Sequence, residues 1–276
     1  MELAKIISVI EKTAPLSIAA GWDHSGMQVA AERTQIRHLA LCLDPTPVSI
    51  GRALDLGADM VLSHHPLSLS PRFPDRLDNY HAVLRLLLRA DVPLYASHTS
   101  LDANPDGPSG WLVRKLGLAG VSVLETTGVF HDSAGQEREA GFGLAGRLPA
   151  PRTIAEILAA AGVEHARLVG ADPACRVERV AVCPGSGGSL AGLAAAAGAQ
   201  LLVTGDLKYH DALDAPLPIL DVGHFSLEER MMRLFSEELH EALPEIDVSF
   251  VPSTDPFTVC QPFSTSVPED QHEPLS

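Results

Sequence analysis

Short apolar runs and amphipathic stretches alternate along most of this chain. The apolar runs are typical of buried strands, and the stretches between them have apolar residues at helical spacing. The strands predicted in this way cover residues 38–43, 60–63, 201–204 and 247–251. The predicted helices cover residues 3–12, 47–56, 81–90, 151–161 and 230–243. This alternation predicts an α/β fold with helices layered on mixed sheets.

The same order of elements occurs twice, at a constant offset. Gly57-Ala58 and Gly198-Ala199 are 198 − 57 = 141 positions apart. At this offset, without a gap, residues 40–42 align with 181–183, and His64-His65 aligns with Gly205-Asp206. Any two strand–helix–strand units share some of this pattern. Polar residues follow the same strand ends in both halves, however, and this favours an internal duplication.

We therefore predict two similar, intertwined α/β units. The first unit comprises residues 1–125 and 206–258, and it carries most of the candidate metal ligands described below. The second unit comprises residues 126–205. Residues 259–276 are rich in proline and poor in apolar side chains, so we expect a loose C-terminal tail.

Two similar pentapeptides follow apolar runs. Residues 98–102 read H-T-S-L-D, and residues 224–228 read H-F-S-L-E. We expect each strand end to present a histidine, His98 or His224, and the following turn to return a carboxylate, Asp102 or Glu228, to the same place. Imidazole nitrogen and carboxylate oxygen together suit divalent ions such as Zn, Fe, Mn or Ni. Two such segments indicate a site that is built twice.

The adjacent histidines His64 and His65 follow a predicted strand and precede Pro66. Neighbouring residues on a regular strand point to opposite faces, but at the strand end this alternation breaks and both rings can converge. A single buried histidine is more often a hydrogen-bonded core residue than a ligand. A pair, in a chain that also contains the two pentapeptides, predicts metal ligation.

Two further polar clusters are candidates for function. The segment T-G-D-L-K-Y-H-D at 204–211 occupies the position of His64-His65 in the second half. Its amine and imidazole, Lys208 and His210, offer phosphate-binding and proton-transfer groups. The segment W-D-H-S-G at 22–26 fits a surface turn with a packed Trp. It fits equally well a loop that places Asp23 or His24 at a cleft.

Composition narrows the classes of function. The formal net charge is −15, which together with the lack of a basic stripe argues against a nucleic-acid backbone as the main partner. No apolar run approaches the roughly 18 residues of a membrane span, and the start of the chain does not read as a signal peptide. The four cysteines lack C-x-x-C spacing. Cys42 and Cys183 lie at matching positions in apolar strands, so they are expected to fill the core. We expect an acidic, soluble, cytoplasmic protein without a membrane anchor.

The four polar motifs, in this order, resemble those of the NIF-three-like family. They are S-H-H-P-L at 63–67, H-T-S-L-D at 98–102, T-G-D-L-K-Y-H-D at 204–211 and G-H-F-S-L-E at 223–228. W-D-H-S-G at 22–26 and S-T-D-P-F at 253–257 also fit. The resemblance covers about residues 1–258, with the spacing of the short form of the family. Bacterial members are known as dinuclear metal centre hexameric proteins or GTP cyclohydrolase 1 type 2 homologues.

The resemblance implies two divalent metal ions per chain and a homohexamer. It assigns five residues as metal ligands: His64, His65, Asp102, His224 and Glu228. It also places His98 close to the metals. The family usually has Asn where this chain has Ser100 and His24, so contacts around the ligands differ here.

These residues suit metal-dependent hydrolysis of a nucleotide or a phosphorylated small molecule. Two ions about 3.5–4 Å apart can activate a water at neutral pH. His98 or His210 would then transfer protons, and Lys208 would contact a phosphate. This set of residues fits the opening of a purine ring and the hydrolysis of a phosphoester equally well. Two other hypotheses stay open: a non-enzymatic metal-binding or partner-docking ring protein, and a plain α/β domain with coincidental histidines.

Overall fold

The computed structural model describes residues 1–131 and 135–258, which form two mixed β-sheets with helices packed on them. Helices α1 to α9 of the described residues span, in order, Leu3–Thr13, Pro47–Asp55, Asn79–Ala90, Thr99–Asp102, Trp111–Leu116, Ile154–Ala161, Ala191–Ala196, Tyr209–Leu213 and His224–Ala242. Strands β1 to β11 span Gly26–Val29, His38–Cys42, Met60–Ser63, Leu94–Ala96, Ala119–His131, Glu137–Thr153, Arg167–Val169, Arg176–Val182, Leu201–Thr204, Ile219–Asp221 and Asp247–Phe250.

The first sheet has the strand order β1-β4-β3-β2-β11, and the second has the order β5-β6-β8-β9-β10-β7. Strands β11, β2, β3 and β4 are parallel, and so are β8, β9 and β10. Antiparallel pairing occurs where β1 joins β4, where β7 joins β10, and along β5, β6 and β8. This architecture confirms the predicted α/β class with helices layered on mixed sheets.

The long helix α9 is held in the largest apolar core. Its residues Leu227, Met231, Phe235 and Leu239 recur every four positions and are buried. They belong to one cluster with residues from both sheets, such as Leu41 of β2, Val182 of β8 and Val203 of β9. Burial of each large apolar side chain stabilises the fold by about 1.5–3 kcal/mol. The first turn of α9 is therefore fixed relative to the strands of both sheets.

The two segments that align at an offset of 141 have the same topology and the same register. Leu39 pairs with Met60 between β2 and β3, and their counterparts Val180 and Leu201 pair between β8 and β9. Asp59 N donates to the carbonyl of His38, as Gln200 N does to that of Arg179 in the second segment. The helix-ending glycines, at 57 and 198, have φ values of +80° and +77°. An internal duplication predicts these matches, but the common origin of the two segments stays a prediction.

The predicted units do not coincide with the two sheets. Strands of the second sheet run from residue 119 to residue 221 and cross both predicted boundaries, at 125/126 and 205/206. The division into residues 1–125 with 206–258 and residues 126–205 thus stays a prediction. The tail predicted for residues 259–276 lies outside the described residues.

Two predicted helices begin elsewhere. The helix predicted over 151–161 begins at Ile154, because residues up to Thr153 extend β6 along β8. Thr153 then caps the helix together with Glu156. The helix predicted from residue 230 begins at His224, so the second pentapeptide is itself helical. None of the described helices is long and apolar enough to cross a membrane.

Candidate metal centre

Polar side chains from both sheets converge at the carboxyl ends of the parallel strands. His64 and His65 directly follow β3, and His98 follows β4 by two residues. In the second sheet, Asp206 follows β9, and His224 follows β10. Because parallel strands end at the same edge of a sheet, these side chains meet where the two edges face each other.

The two adjacent histidines converge as the sequence predicts. The ring centroids of His64 and His65 are 4.9 Å apart. Both backbone N–H groups donate to the carbonyl of Leu43, at 3.2 and 3.1 Å, and thereby bend the chain at the end of β3. The Ser63 hydroxyl donates to the carbonyl of His65 at 2.7 Å and secures the bend.

The pentapeptides return their carboxylates through a helical turn and not through a loop. His224 and Glu228 occupy positions i and i+4 of α9, with Nε2 and Oε2 2.7 Å apart. In the other pentapeptide, His98 precedes α4 and Asp102 ends it. Residues four apart share one face of a helix, so histidine and acid reach the same point in each case.

Three overlapping groups of side chains have ligand atoms within 4.8 Å of one another and could hold metal ions. The groups are His65 with His224 and Glu228, His64 with Asp102 and Glu228, and His64 with His65 and His98. Glu228 belongs to two of these groups, as a carboxylate shared between two ions would. His98 belongs to the third, which makes it a candidate ligand as well as a neighbour of the centre.

Each of the four histidines is oriented by a hydrogen bond at Nδ1. The acceptors are the carbonyl of Ser97 for His64 (2.8 Å), Asp44 for His65 (2.7 Å), Asp23 for His98 (2.7 Å) and Asp206 for His224 (2.8 Å). An Nδ1–H that donates to such an acceptor leaves the Nε2 lone pair available for a metal. The tautomer needed for ligation is thus favoured at all four rings.

Two buried atoms at the centre have no hydrogen-bond partner. They are His64 Nε2 and Asp102 Oδ1. These two atoms lie 3.6 Å apart, and His64 Nε2 lies 3.7 Å from Oε1 of the buried Glu228. Buried polar atoms without partners are rare and costly. Two such atoms that face each other, beside a buried carboxylate, fit a cation that coordinates them.

The electrostatics of the centre also favour cations. Burial disfavours charge on His65, but hydrogen bonds to Asp44 and Glu228 outweigh it and raise the pKa of His65 to about 10. Burial likewise opposes charge on His224, and Glu228 and Asp206 raise its pKa to about 9. Burial raises the pKa of Asp102. The neighbouring carboxylates hold protons on His65 and His224 when no metal is bound, and divalent ions would replace those protons.

Two backbone features in the second half support the centre. Asp206 has a φ of +54°, a left-handed conformation that is uncommon for residues other than glycine and that Asp tolerates. This conformation accompanies the hydrogen bond that His224 Nδ1 donates to the Asp206 carboxylate. Gly185 has a φ of +69°, and a Cβ there would overlap Oε1 of Glu228 and lie 3.6 Å from Cε1 of His224. Only glycine leaves room for the Glu228 carboxylate at this position.

The predicted residues Lys208 and His210 lie at the start of α8, near Asp206 in the chain. Both side chains are exposed. The His210 ring packs edge to face against Tyr209, with centroids 5.4 Å apart. Within the described residues, neither side chain has a hydrogen bond or ion pair that ties it to the five predicted ligands, so their roles stay predictions.

Sequence reasoning missed three supporting residues: Asp44, Asp206 in its role as a hydrogen-bond acceptor, and Gly185. A signal for Asp44 is present in the sequence, because it follows β2 by two residues, at the edge where β3 delivers His64 and His65. Asp23, one of the two candidates in the W-D-H-S-G loop, contacts His98. The other, His24, is exposed. Cys42 and Cys183 are buried, as predicted, and burial raises the pKa of each to about 12.

The donor set of imidazole nitrogen and carboxylate oxygen fits divalent transition metals. The described residues therefore contain groups that could hold metal ions. These groups include the five residues that the family resemblance assigns as ligands, and that assignment stays a prediction.

Relatives of known sequence match most of the length of the chain. A protein of Clostridium perfringens called GTP cyclohydrolase 1 type 2 homolog is 33% identical over 270 residues, which cover 93% of this chain and 99% of the relative. A protein of the same name from Streptomyces coelicolor is 30% identical over 250 residues, 87% of this chain and 86% of the relative.

The fold is shared with a solved structure, that of a Bacillus cereus protein related to NIF3. The TM-score is 0.83 at 23% identity, over 94% of this chain and 99% of the other. The family model described as Duf34/NIF3 (NGG1p interacting factor 3) matches residues 1–256. From this match and the identity to curated relatives, the chain belongs to the Duf34/NIF3 family.

Proposed function

We propose that this protein is a metal-dependent hydrolase that acts on a nucleotide or another phosphorylated small molecule. The observation that carries the proposal is the pair of buried, unpartnered atoms His64 Nε2 and Asp102 Oδ1, which face each other beside the buried carboxylate of Glu228 at the meeting point of the two sheets. Structural polar networks are normally satisfied internally. Buried polar atoms that lack partners within the protein are typical of a site where bound ions and substrate supply those partners.

Five residues would hold two divalent ions: His64, His65, Asp102, His224 and Glu228. Bound ions would supply Lewis acidity and a water of lowered pKa. Asp44, Asp206 and the carbonyl of Ser97 keep three imidazoles oriented with Nε2 toward the centre. Glu228 joins the two halves of the centre, since its two oxygens face different histidines.

His98 is the best placed of the proposed proton-transfer groups. Its ring centroid lies 5.3 Å from that of His64 and 5.6 Å from that of His65. Its Nδ1 is held by Asp23, so the exchange of a proton would occur at Nε2. From the exposed start of α8, Lys208 would contact the phosphate of the substrate, and His210 would transfer a second proton.

The substrate class rests on two supports. The names of the curated relatives refer to GTP cyclohydrolase, and Lys208 offers a cation for a phosphate. Both ring opening of a purine nucleotide and hydrolysis of a phosphoester need an activated water next to an electrophile. The same centre serves either reaction.

A hydrolysis screen tests the proposal. The metal-loaded protein would be assayed with GTP, other nucleotides and simple phosphoesters, in the presence of Zn, Mn or Fe(II). Glu228→Gln keeps the size of the side chain and removes its charge, so we expect it to lower kcat even where metal remains bound. Glu237→Gln, on the exposed side of the same helix, is the matched control and should retain activity.

Lys208→Ala should mainly raise KM for phosphorylated substrates, since it would contact the phosphate equally in the ground and transition states. If the fully metallated protein turns over none of the substrates, the hydrolase proposal fails. A non-enzymatic metal-binding or docking protein then becomes the better account.

We further propose that the protein is a cytoplasmic homohexamer, as the family resemblance implies. The metal centres would then face an internal cavity. Analytical ultracentrifugation over a wide range of protein concentration is the test. A single hexameric species is expected, and a monomer at every concentration would contradict the proposal.

A further inference from the structure

Trp22 is exposed at the edge of the metal centre. Its side chain is 61% exposed, whereas the second tryptophan of the chain, Trp111, is 6% exposed. The Trp22 ring contacts the imidazole of His98 in a T-shaped arrangement, with centroids 5.9 Å apart and an interplanar angle of 73°. This contact leaves much of the indole surface uncovered, next to a candidate ligand of the centre.

The loop that carries Trp22 is held firmly by its neighbour Asp23. The carboxylate of Asp23 accepts hydrogen bonds from the Ser25 hydroxyl (2.6 Å), His98 Nδ1 (2.7 Å), and the backbone N–H and hydroxyl of Thr99 (3.1 and 2.5 Å). Its side chain has no exposed surface. An exposed aromatic ring on a fixed backbone loses little freedom when a ligand packs on it. Trp22 is therefore preorganised for contact.

A cavity lies beside this loop. It has a volume of about 230 Å³ and is lined by His24, Ser25 and residues of the segment 67–80. Ser68, Ser70 and Tyr80 contribute hydroxyl-bearing side chains to its wall, together with Arg72. The hydroxyls of Ser68 and Tyr80 donate to the carbonyls of Ser70 and Arg72, so their oxygens remain as acceptors for the hydroxyls of a ligand. The charge of Arg72 is already met by Asp78 at 2.5 Å. The cavity therefore suits an uncharged group rich in hydroxyls better than it suits a phosphate.

We propose that Trp22 and this cavity form a nucleoside-binding site, in which a planar heteroaromatic base stacks on Trp22 and the attached sugar enters the cavity. The inference rests on the proposed function, because it assigns the substrate of the same centre to the nucleosides. Stacking on an aromatic side chain accepts any planar base. A phosphorylated compound without a ring would gain nothing from Trp22.

Tryptophan fluorescence tests this site directly, because the chain has two tryptophans and the other one is buried. The metal-loaded protein would be titrated with guanosine, and separately with ribose 5-phosphate as a probe without a base. We expect guanosine to quench the fluorescence of the wild-type protein and to leave that of Trp22→Phe, which keeps only Trp111, nearly unchanged. Acrylamide should quench Trp22 before the ligand is added and less so afterwards.

Equilibrium dialysis measures the affinities. Trp22→Ala should bind guanosine roughly 5- to 150-fold more weakly, the range set by the stacking of a base on an aromatic ring. Trp22→Phe should fall between Trp22→Ala and the wild type. Leu88→Ala removes another exposed apolar side chain, 63% exposed on α3, and should bind guanosine as the wild type does. Binding of ribose 5-phosphate should be the same in all four proteins.

Three results would overturn the site: equal guanosine affinity of Trp22→Ala and the wild type, quenching that persists in Trp22→Phe, and a Trp22 that acrylamide cannot reach. The last would mean that another copy of the chain covers the ring. Hydrolysis assays on the same preparations separate the two proposals. An inactive protein in which guanosine still quenches Trp22 would refute the hydrolase and keep the site. If Trp22→Ala hydrolysed phosphoesters as fast as the wild type, and guanosine did not quench the wild-type fluorescence, the nucleoside site would be refuted and the hydrolase proposal would stand.

Discussion

Replacing Gly185 with alanine should weaken metal binding by displacing a ligand that is far away in the sequence. Gly185 has a φ of +69°, and an added Cβ would overlap Oε1 of Glu228. A side chain in this left-handed conformation costs about 1–2 kcal/mol. The carboxylate is the far end of a flexible side chain, so it can yield. The overlap should therefore appear in metal affinity more than in stability.

The expected size of the effect follows from these contacts. Disturbing the support of a metal ligand typically costs roughly 10- to 100-fold in affinity, or about 1.4–2.7 kcal/mol. The matched control is Gly162→Ala at the end of α6, where φ is +74° and no atom lies within 4 Å of an added Cβ. Both variants share the conformational strain, and only Gly185→Ala meets Glu228.

Two assays separate the contributions. Urea unfolding in the presence of EDTA measures the strain, and we expect both variants to lose about 1–2 kcal/mol of unfolding free energy. Competition with a chromophoric chelator measures Zn²⁺ affinity, which should fall for Gly185→Ala alone. Equal Zn²⁺ affinity of Gly185→Ala and Gly162→Ala would refute the assignment of Glu228 as a ligand for which Gly185 leaves room.

Two further predictions concern the oriented histidines. Asp44→Asn should lower Zn²⁺ affinity by roughly 10- to 100-fold, because His65 loses its carboxylate partner; Asp172→Asn, on an exposed turn, is the control, and unchanged affinity of Asp44→Asn would contradict the orienting role. The pKa values of His65 and His224 are raised to about 10 and about 9 in the absence of metal. Their stabilisation of the metal-free protein should be complete below about pH 6.5 and lost as the pH rises through 9 to 10. Urea unfolding in EDTA checks this, and a His224→Asn variant with an equally steep loss would refute it.

The sequence predicted much of the fold because its strands are short apolar runs with clear ends. The residues following β3 and β4 were recognised as candidate ligands, since parallel strands deliver their ends to one edge. The pentapeptides were interpreted as turns after strands. In fact Glu228 lies one helical turn after His224, because α9 begins directly at that histidine. Spacing i to i+4 fits both interpretations, and only the packing of α9 against both sheets decides between them.

The residues that support the centre are harder to predict from the sequence, because their partners depend on which strands become neighbours. Asp44 meets His65 because β2 and β3 are neighbours in the first sheet, and Asp206 meets His224 because β9 and β10 are neighbours in the second. Gly185 is one of several glycines in a loop, and nothing local marks it as the neighbour of Glu228. Lys208 and His210, by contrast, form a dense polar cluster in the sequence but are exposed at the start of α8. Local composition shows which chemistry is present and does not show where each side chain points.

The metal content of the purified protein tests the central claim most directly. Elemental analysis would compare the wild-type protein with His64→Ala and His224→Ala, and with His240→Ala on the exposed side of α9 as the control. We predict about two divalent ions per chain in the wild-type protein and in the control, as expected of a two-metal site, and a clearly lower content in His64→Ala and His224→Ala. Wild-type content in both of these variants, or a wild-type protein that takes up no divalent metal, would contradict the account.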